Sequence, residues 1–444
     1  MFGRKGETLA GWGRAPVVPG HEVRSEDLAR IADGRPLSRG LGRSYGDSSL
    51  PAANDREVVS TVLADRILSF DNDSGALRAE AGLSLDDIYK VFLPRGWFVP
   101  VTPGTKFVTL GGMVAADVHG KNHHKNGCFG AHVLDIKLRV ADGRTVRCSP
   151  NVEPDLFRAT IGGMGLTGHI LEVAFKMVRV PSPWIWQESE RVPNIEAFIA
   201  ALKAASADWP MTAGWIDCLS SGANMGRGIL FKGRWATPDE APKRAPRPKR
   251  RFTIPFDFPQ FVLGPLSIRA FNTLFYWKHW RRQQRRIVHP ESTFYPLDMV
   301  WHWNRMYGRR GLTQHQCVLP NEAGAGAARR FLEVLTARGG ASFLCVIKDC
   351  GPEGVGMLSF PRPGISIALD IAVRKDTPLL IDALNECVLK EGGRIYLAKD
   401  AFTRAEHFRA MEPRIDEFQR IRHIWDPNRK LRSAQSVRLL GDLP

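Results

Sequence analysis

No run of about 18 apolar residues occurs in the chain, so no transmembrane helix is expected. The opening stretch MFGRKGETLAGWGR has no apolar core, and no secretory signal is expected. Cysteine is scarce: seven residues, scattered and odd in number. That fits neither a disulfide framework nor a zinc ribbon, and leaves reduced, packed thiols as the expectation. Acids are short too, with 46 Asp and Glu against 62 Lys and Arg, a formal charge of +16. The shortage is local: from Lys243 to Arg286 twelve Lys and Arg face a single acid, Asp257. One stretch therefore carries most of the excess, as a device rather than a property of the fold. Stacking and groove-reading modules are missing, so no nucleic-acid partner is expected.

What is present is an ordinary globular composition, 43% hydrophobic and 24% charged over 444 residues, enough for two or three domains. Three glycine-rich stretches fall in the first 170 residues. The first is Leu37 to Asp47, LSRGLGRSYGD, whose successive N–H groups can form an anion-binding nest. Arg39 and Arg43 add charge for a pyrophosphate. The second is Pro100 to Phe129, PVTPGTKFVTLGGMVAADVHGKNHHKNGCF. Gly104, Gly111 and Gly112 let a backbone come close to a flat or charged ligand. Ala115 and Ala116 keep the surface thin, and His119-Gly120-Lys121-Asn122-His123-His124 then delivers titratable groups. The third is Ile161 to Gly168. Each lies beside a β-rich run, which points to one extended nucleotide site.

Short strands are expected over Glu57 to Val62, Ile67 to Phe70, Ala76 to Ala81, Val133 to Val140, Thr145 to Cys148 and His169 to Val178. Helices are expected over Ser25 to Ile31, Leu85 to Leu93 and Asp155 to Ile161. The spacing is too short for regular crossover helices, so the class is α+β and not a doubly wound array. After Pro183, strands and helices alternate (Ala213 to Leu219, Gly228 to Lys232, Gln314 to Pro320, Ala325 to Arg338, Phe343 to Asp349, Ile365 to Val373, Thr377 to Glu391). Residues before about Gly20 read as a loose arm. Thr237 to Arg251 reads as a mobile basic loop, and Phe252 to Trp280 as an aromatic stretch.

The three glycine stretches resemble the FAD-binding domain of the vanillyl-alcohol-oxidase (PCMH-type) flavoproteins. HGKNHH together with GGRIYLAKD at Gly392 to Asp400 resembles, more closely, the decaprenylphosphoryl-β-D-ribose 2′-oxidase family, over about Gly34 to Arg438. The resemblance implies a split FAD domain, residues 1–182 plus 394–444, around a substrate domain at 183–393 with an antiparallel sheet. The basic, aromatic insert at 237–286 would face a membrane. It implies non-covalent FAD: the first loop lacks the histidine that tethers flavin in other members, although Cys128 lies near the second. FAD would rest on Ser38, Arg39, Gly40, Leu41, Gly42, Arg43, Ser44, Gly46, Asp47, Gly104, Thr109, Gly111, Gly112, Ala116, His119, Ile170 and Tyr396.

Lys399 matches the family's essential lysine, a cation between flavin and substrate. The acceptor of the hydroxyl proton would be His119, Lys121 or Tyr45. Substrate would meet Tyr45, Lys121, His315, Lys348, Ser366 and Ala368. Mycobacterial members have Asn and Cys two apart before an Asp where this chain has Ser366, Ala368 and Asp370, and His315 stands at a pocket tyrosine. His119, His123 and His124 have a spacing that could share zinc, but no further ligand follows and no metal is expected.

The implied reaction is oxidation of a polyprenylphosphoryl pentose at the 2′-hydroxyl, half of an epimerisation to arabinose for the cell envelope. A separate NAD(P)H-dependent keto-reductase would complete it. Peripheral attachment to an anionic membrane surface, on the cytoplasmic face, is expected. The rival enzyme reading is a soluble alditol or sugar oxidase, which needs no basic aromatic surface. The rival outside enzymes is a nucleic-acid-binding or membrane-adaptor protein that keeps an inert flavin fold.

Overall fold

The computed structural model describes residues 7–247, 249–324 and 326–444. Three sheets of three or more strands carry the described residues, beside three two-stranded pairings. His21–Arg24, Glu57–Ser60 and Ser38–Arg39 form a small parallel sheet in that the middle strand pairs with both others. Thr145–Cys148, Val133–Arg139, His169–Lys176, Ala76–Glu80 and Ile67–Phe70 follow in that order in a five-stranded antiparallel sheet. Alternation explains its inner face over Ile136, Leu138 and Val140, which are buried; Val133 is buried across a register shift in the ladder. Short helices cover it. Leu85–Phe92 is capped by Ser84, whose side chain accepts from Asp87 N. Leu110–Ala115 is capped by Thr109, accepting from Gly112 N.

The largest sheet has eight strands, all antiparallel to their neighbours. The order is Gln283–Val288, Ile185–Val192, Gly228–Trp235, Met211–Ile216, Cys345–Cys350, Gly364–Ala372, Leu312–Pro320 and Arg394–Ile395. Helices Ile195–Asp208, Gly326–Ala337 and Thr377–Lys390 lie on one face. Ile195, Phe198, Ile199 and Leu202 form an apolar stripe at helical spacing, packed with Phe331, Leu384, Ile367 and Leu369 in one core. The opposite face is the wall of a groove. The α+β class holds, and the sheet runs two residues past the expected break at 393.

Several expectations need correcting. The stretch before Gly20 is tied down: Thr8–Ala10 pairs with Val17–Pro19, and Trp12 N donates to Ser44 O. The first helix is Leu28–Ala32, capped by Asp27, and so begins three residues after the expected Ser25. Ala325, expected in a helix, lies outside the described residues, as do residues 1–6 and Pro248. The aromatic stretch contains the helix Pro265–Lys278, and the arginines at its end enter the edge strand Gln283–Val288. In the basic loop, Glu240 pairs with Arg234 and Lys249 donates to Ser292 Oγ. No helix among the described residues is long and apolar enough to cross a membrane.

A strap from the sheet side crosses to the glycine loops. It comprises Pro290–Phe294 and Pro296–Met299. Lys106, only 2% exposed, reaches Glu291 at 2.6 Å and Asp86 at 2.7 Å. Lys106 N donates to Asp298 at 2.8 Å, and the Thr102 and Tyr295 hydroxyls share a hydrogen bond of 2.7 Å.

Candidate active site

Between the glycine loops and the large sheet runs a groove with about 2020 Å³ of empty space, open at its mouth. Its floor is bare backbone. A Cβ on Gly104 or Gly165 would meet nothing within 4 Å, whereas one on Gly40 would lie 2.2 Å from Thr109 Oγ1. Gly42 takes φ +62, where a side chain would be strained. Arg43 lies over Trp12, 4.1 Å from the ring centroid. Buried polar atoms of Arg43, Ser48, Thr61 and His119 along this groove have no protein partner among the described residues. Donors waiting over an open glycine floor, beside apolar Val118 and Ile170, fit a flavin dinucleotide.

Of the residues expected at the cofactor, Ser38, Gly40, Leu41, Gly42, Arg43, Ser44, Gly104, Thr109, Gly111, Gly112, Ala116, His119, Ile170 and Tyr396 line the groove. Arg39, Gly46 and Asp47 do not. The Arg39 guanidinium is spent on Glu22, Ser49 and Ala10 O. Asp47 is held by Arg438 at 2.8 Å. Gly46 is needed for close packing, since a Cβ there would sit 1.9 Å from Asp400 O.

The sheet wall follows strand parity. Val346 and Lys348, Ala368, and Gln314 and Gln316 face the groove. Gln316 and Val346 flank Ala368 across the ladder. Ser366 shares this parity but is not among the groove-lining residues; its Oγ lies 3.3 Å from Gln316 Nε2. His315 is a correction: one position off this parity, it points to the helix face, where Nε2 meets Asn385 at 3.0 Å and the ring packs on Phe331. Sequence reading missed Trp12, Gln314, Gln316, Asp298 and Trp303, all of which line the groove. The two glutamines were within reach of the alternation rule; Trp12 and Asp298 arrive through long-range contacts.

Three lysines converge here. Lys121, Lys348 and Lys399 all line the groove. Burial drives Lys121 down to about 7, and it donates to Thr293 O. Burial lowers Lys348 as well. Lys399 is brought to about 8 by burial, against the pull of Asp370. Asp370 itself is raised to about 7 by burial, opposed by Gln314 and Lys399. Gln314 Nε2 donates to Asp370 at 2.5 Å and reaches Tyr45 OH at 3.4 Å. Burial, then Asp370, holds the Tyr45 phenol protonated. His119 meets the Gln316 amide at 2.9 Å, and burial and Lys348 keep its imidazole neutral. The other two histidines of the run are occupied: His123 Nδ1 accepts from Gly351 N, and His124 Nε2 meets Trp209 O. Cys128 is fully buried and lies outside the groove lining.

Comparison with known proteins agrees with this architecture. Residues 17–149 match the FAD binding domain family. The chain is 35% identical to decaprenylphosphoryl-β-D-ribose oxidase of Mycolicibacterium smegmatis, over 97% of each chain. It is 31% identical to an uncharacterised protein of Streptomyces coelicolor, over 80% of this chain and 100% of that one. A putative D-arabinono-1,4-lactone oxidase of Neurospora crassa is 30% identical over 34% of this chain and 26% of its own. An FAD-type glycine floor, a lysine-lined wall and full-length similarity together place this chain in the decaprenylphosphoryl-β-D-ribose oxidase family of FAD-dependent oxidoreductases.

Proposed function

We propose that the protein oxidises the 2′-hydroxyl of a polyprenylphosphoryl pentose to the ketone. Bound FAD supplies the hydride acceptor. The observation that carries the substrate class is the cluster of Lys121, Lys348 and Lys399 around one groove, with Asp370 as counter-charge. That much half-buried positive charge suits a phosphate and is excessive for a neutral polyol. Lys121 and Lys348 hold the phosphate, and Lys399 stands by the reacting carbon. Tyr45 and Gln314 orient the sugar.

His119 receives the hydroxyl proton at Nδ1, the nitrogen without a protein partner, with the Gln316 amide turned so that its oxygen accepts from Nε2–H; an amide N–H donated to Nε2 would leave Nδ1 already protonated. In the free protein, burial and the charge of Lys348 oppose its protonation. A phosphate beside Lys348 offsets that charge, so the substrate's own anion raises the basicity of His119. Tyr45 is the weaker choice, since its phenol is held protonated.

The ketone product calls for a separate NAD(P)H-dependent reductase, which would return the hydroxyl on the opposite face and give the arabinose form for envelope glycans. The chain divides as 1–182 and 394–444 for the cofactor, with 183–393 for the substrate. Phe261 is 81% exposed and Trp280 70% within the basic insert. They support peripheral docking on an anionic bilayer at the cytoplasmic face, where a polyprenyl tail would lie.

Steady-state kinetics on the phosphorylated lipid test the phosphate assignment. Lys348→Ala should raise KM by about tenfold or more, the loss of a charge-assisted hydrogen bond, with a smaller effect on kcat. An unchanged KM would remove Lys348 from substrate binding.

A further inference from the structure

Behind the wall carrying Trp12 lies a second, open cavity with about 940 Å³ of empty space. It is lined by Arg14, Asp257, His302, Asn304, Arg305 and Arg309. Three guanidiniums surround one carboxylate. Arg14 takes both oxygens of Asp257, at 2.5 and 3.1 Å. Arg305 uses Nη1 on the carbonyls of Ile254 and Pro255, each at 3.0 Å. Its other donors, and all those of Arg309, have no protein partner among the described residues. The cavity therefore holds two uncompensated cations whose planar donors match phosphate geometry. The reaction proposed above uses none of them.

The position of the cavity points to the source of the phosphate. Phe256 forms its rim and is 62% exposed. Five residues on, Phe261 is 81% exposed, and Leu266 follows at 83%. The cavity is joined to the groove by Asn304 Nδ2, which donates to Trp12 O at 2.9 Å. Trp12 lines the groove. A phosphate held here would fix the groove mouth at the level of the headgroups, beside side chains that reach the acyl boundary.

We propose that this cavity binds a phosphate group, supplied by an acidic phospholipid headgroup. The proposal rests on the peripheral docking argued above. The test uses the flavin-loaded full chain and vesicles of phosphatidylcholine with about one fifth phosphatidylglycerol. Arg309→Gln should weaken partition about fivefold. Arg269→Gln, an exposed charge on the neighbouring helix outside the cavity, should have a clearly smaller effect. Calorimetry with a soluble short-chain phosphatidylglycerol should show binding that Arg309→Gln abolishes and that exceeds binding of inorganic phosphate.

Equal losses for Arg309→Gln and Arg269→Gln would overturn the proposal in favour of diffuse attraction. Equal affinity for inorganic phosphate would overturn the lipid as source. Phe261→Ser with Trp280→Ser separates the two levels. If that variant leaves the vesicles while Arg309→Gln does not, docking stands and the cavity fails. If neither leaves, docking itself fails and the proposal with it.

Discussion

The Lys399 ammonium sits over the Tyr45 ring, 4.1 Å from its centroid, and its charge is balanced by buried Asp370. Cation, aromatic face and carboxyl share one wall of the groove with Gln314. This arrangement holds positive charge where a reduced ring and a developing carbonyl would need it.

The first prediction follows from that balance. Lys399 carries its proton below about 8 and loses it above. Flavin reduction by substrate should therefore fall as pH rises through about 8. Lys399→Ala should bind flavin normally, reduce it about 100-fold more slowly and lose this descending limb. Asp370→Asn removes the charge that raises Lys399, so the limb should move to lower pH. Stopped-flow absorbance across pH 6 to about 9 checks both. A limb unmoved in both variants would assign it to another group.

The second concerns the strap. Acid or heat should release the flavin into solution, because the first glycine loop has no histidine and Cys128 lies outside the groove lining. Lys106→Met leaves Glu291 buried without its cation and Asp86 with Lys90 alone. It should cost about 3–5 kcal/mol, read by denaturant unfolding, and should quicken flavin loss on dilution. Flavin remaining on the precipitated polypeptide would show a covalent bond.

Much of this site was legible in the sequence, for physical reasons. A backbone that must approach a ligand leaves glycines, and Gly40, Gly104 and Gly112 could be read directly. Lys399 and Lys348 came with their motifs. His315 was misplaced because its position was taken from resemblance and not checked against parity: Gln316 pairs with Ala368, so His315 must face the helices. Arg39 and Asp47 were assigned to cofactor because the loop is basic and polar. Their partners Glu22 and Arg438 lie 17 and 391 residues away, which no local pattern reveals. The strap was invisible for the same reason, since Lys106 and Glu291 are 185 residues apart. The aromatic helix Pro265–Lys278 was obscured by its exposed apolar face, which breaks the usual amphipathic pattern.

A third prediction concerns Ala368. All seven cysteines are buried, and none is among the groove-lining residues. The family resemblance implies a thiol at the position matching Ala368 in mycobacterial members, open to capture by nitroaromatic inhibitors after their reduction. This protein should gain no mass on the polypeptide after turnover with such a compound. Ala368→Cys should form the adduct, because the strand accepts one added polarizable atom. An adduct on the unaltered protein, seen by intact mass, would show that another thiol reaches the groove.

The central claim is that the groove takes a phosphorylated, lipid-linked pentose. Anaerobic titration of the yellow protein, followed by flavin absorbance, tests it most directly. Polyprenylphosphoryl ribose should bleach the flavin at near-stoichiometric amounts, while ribitol, xylitol and free ribose should leave it oxidised. Bleaching by the free pentitols, with none by the phosphorylated lipid, would contradict the account and make the protein a soluble polyol oxidase.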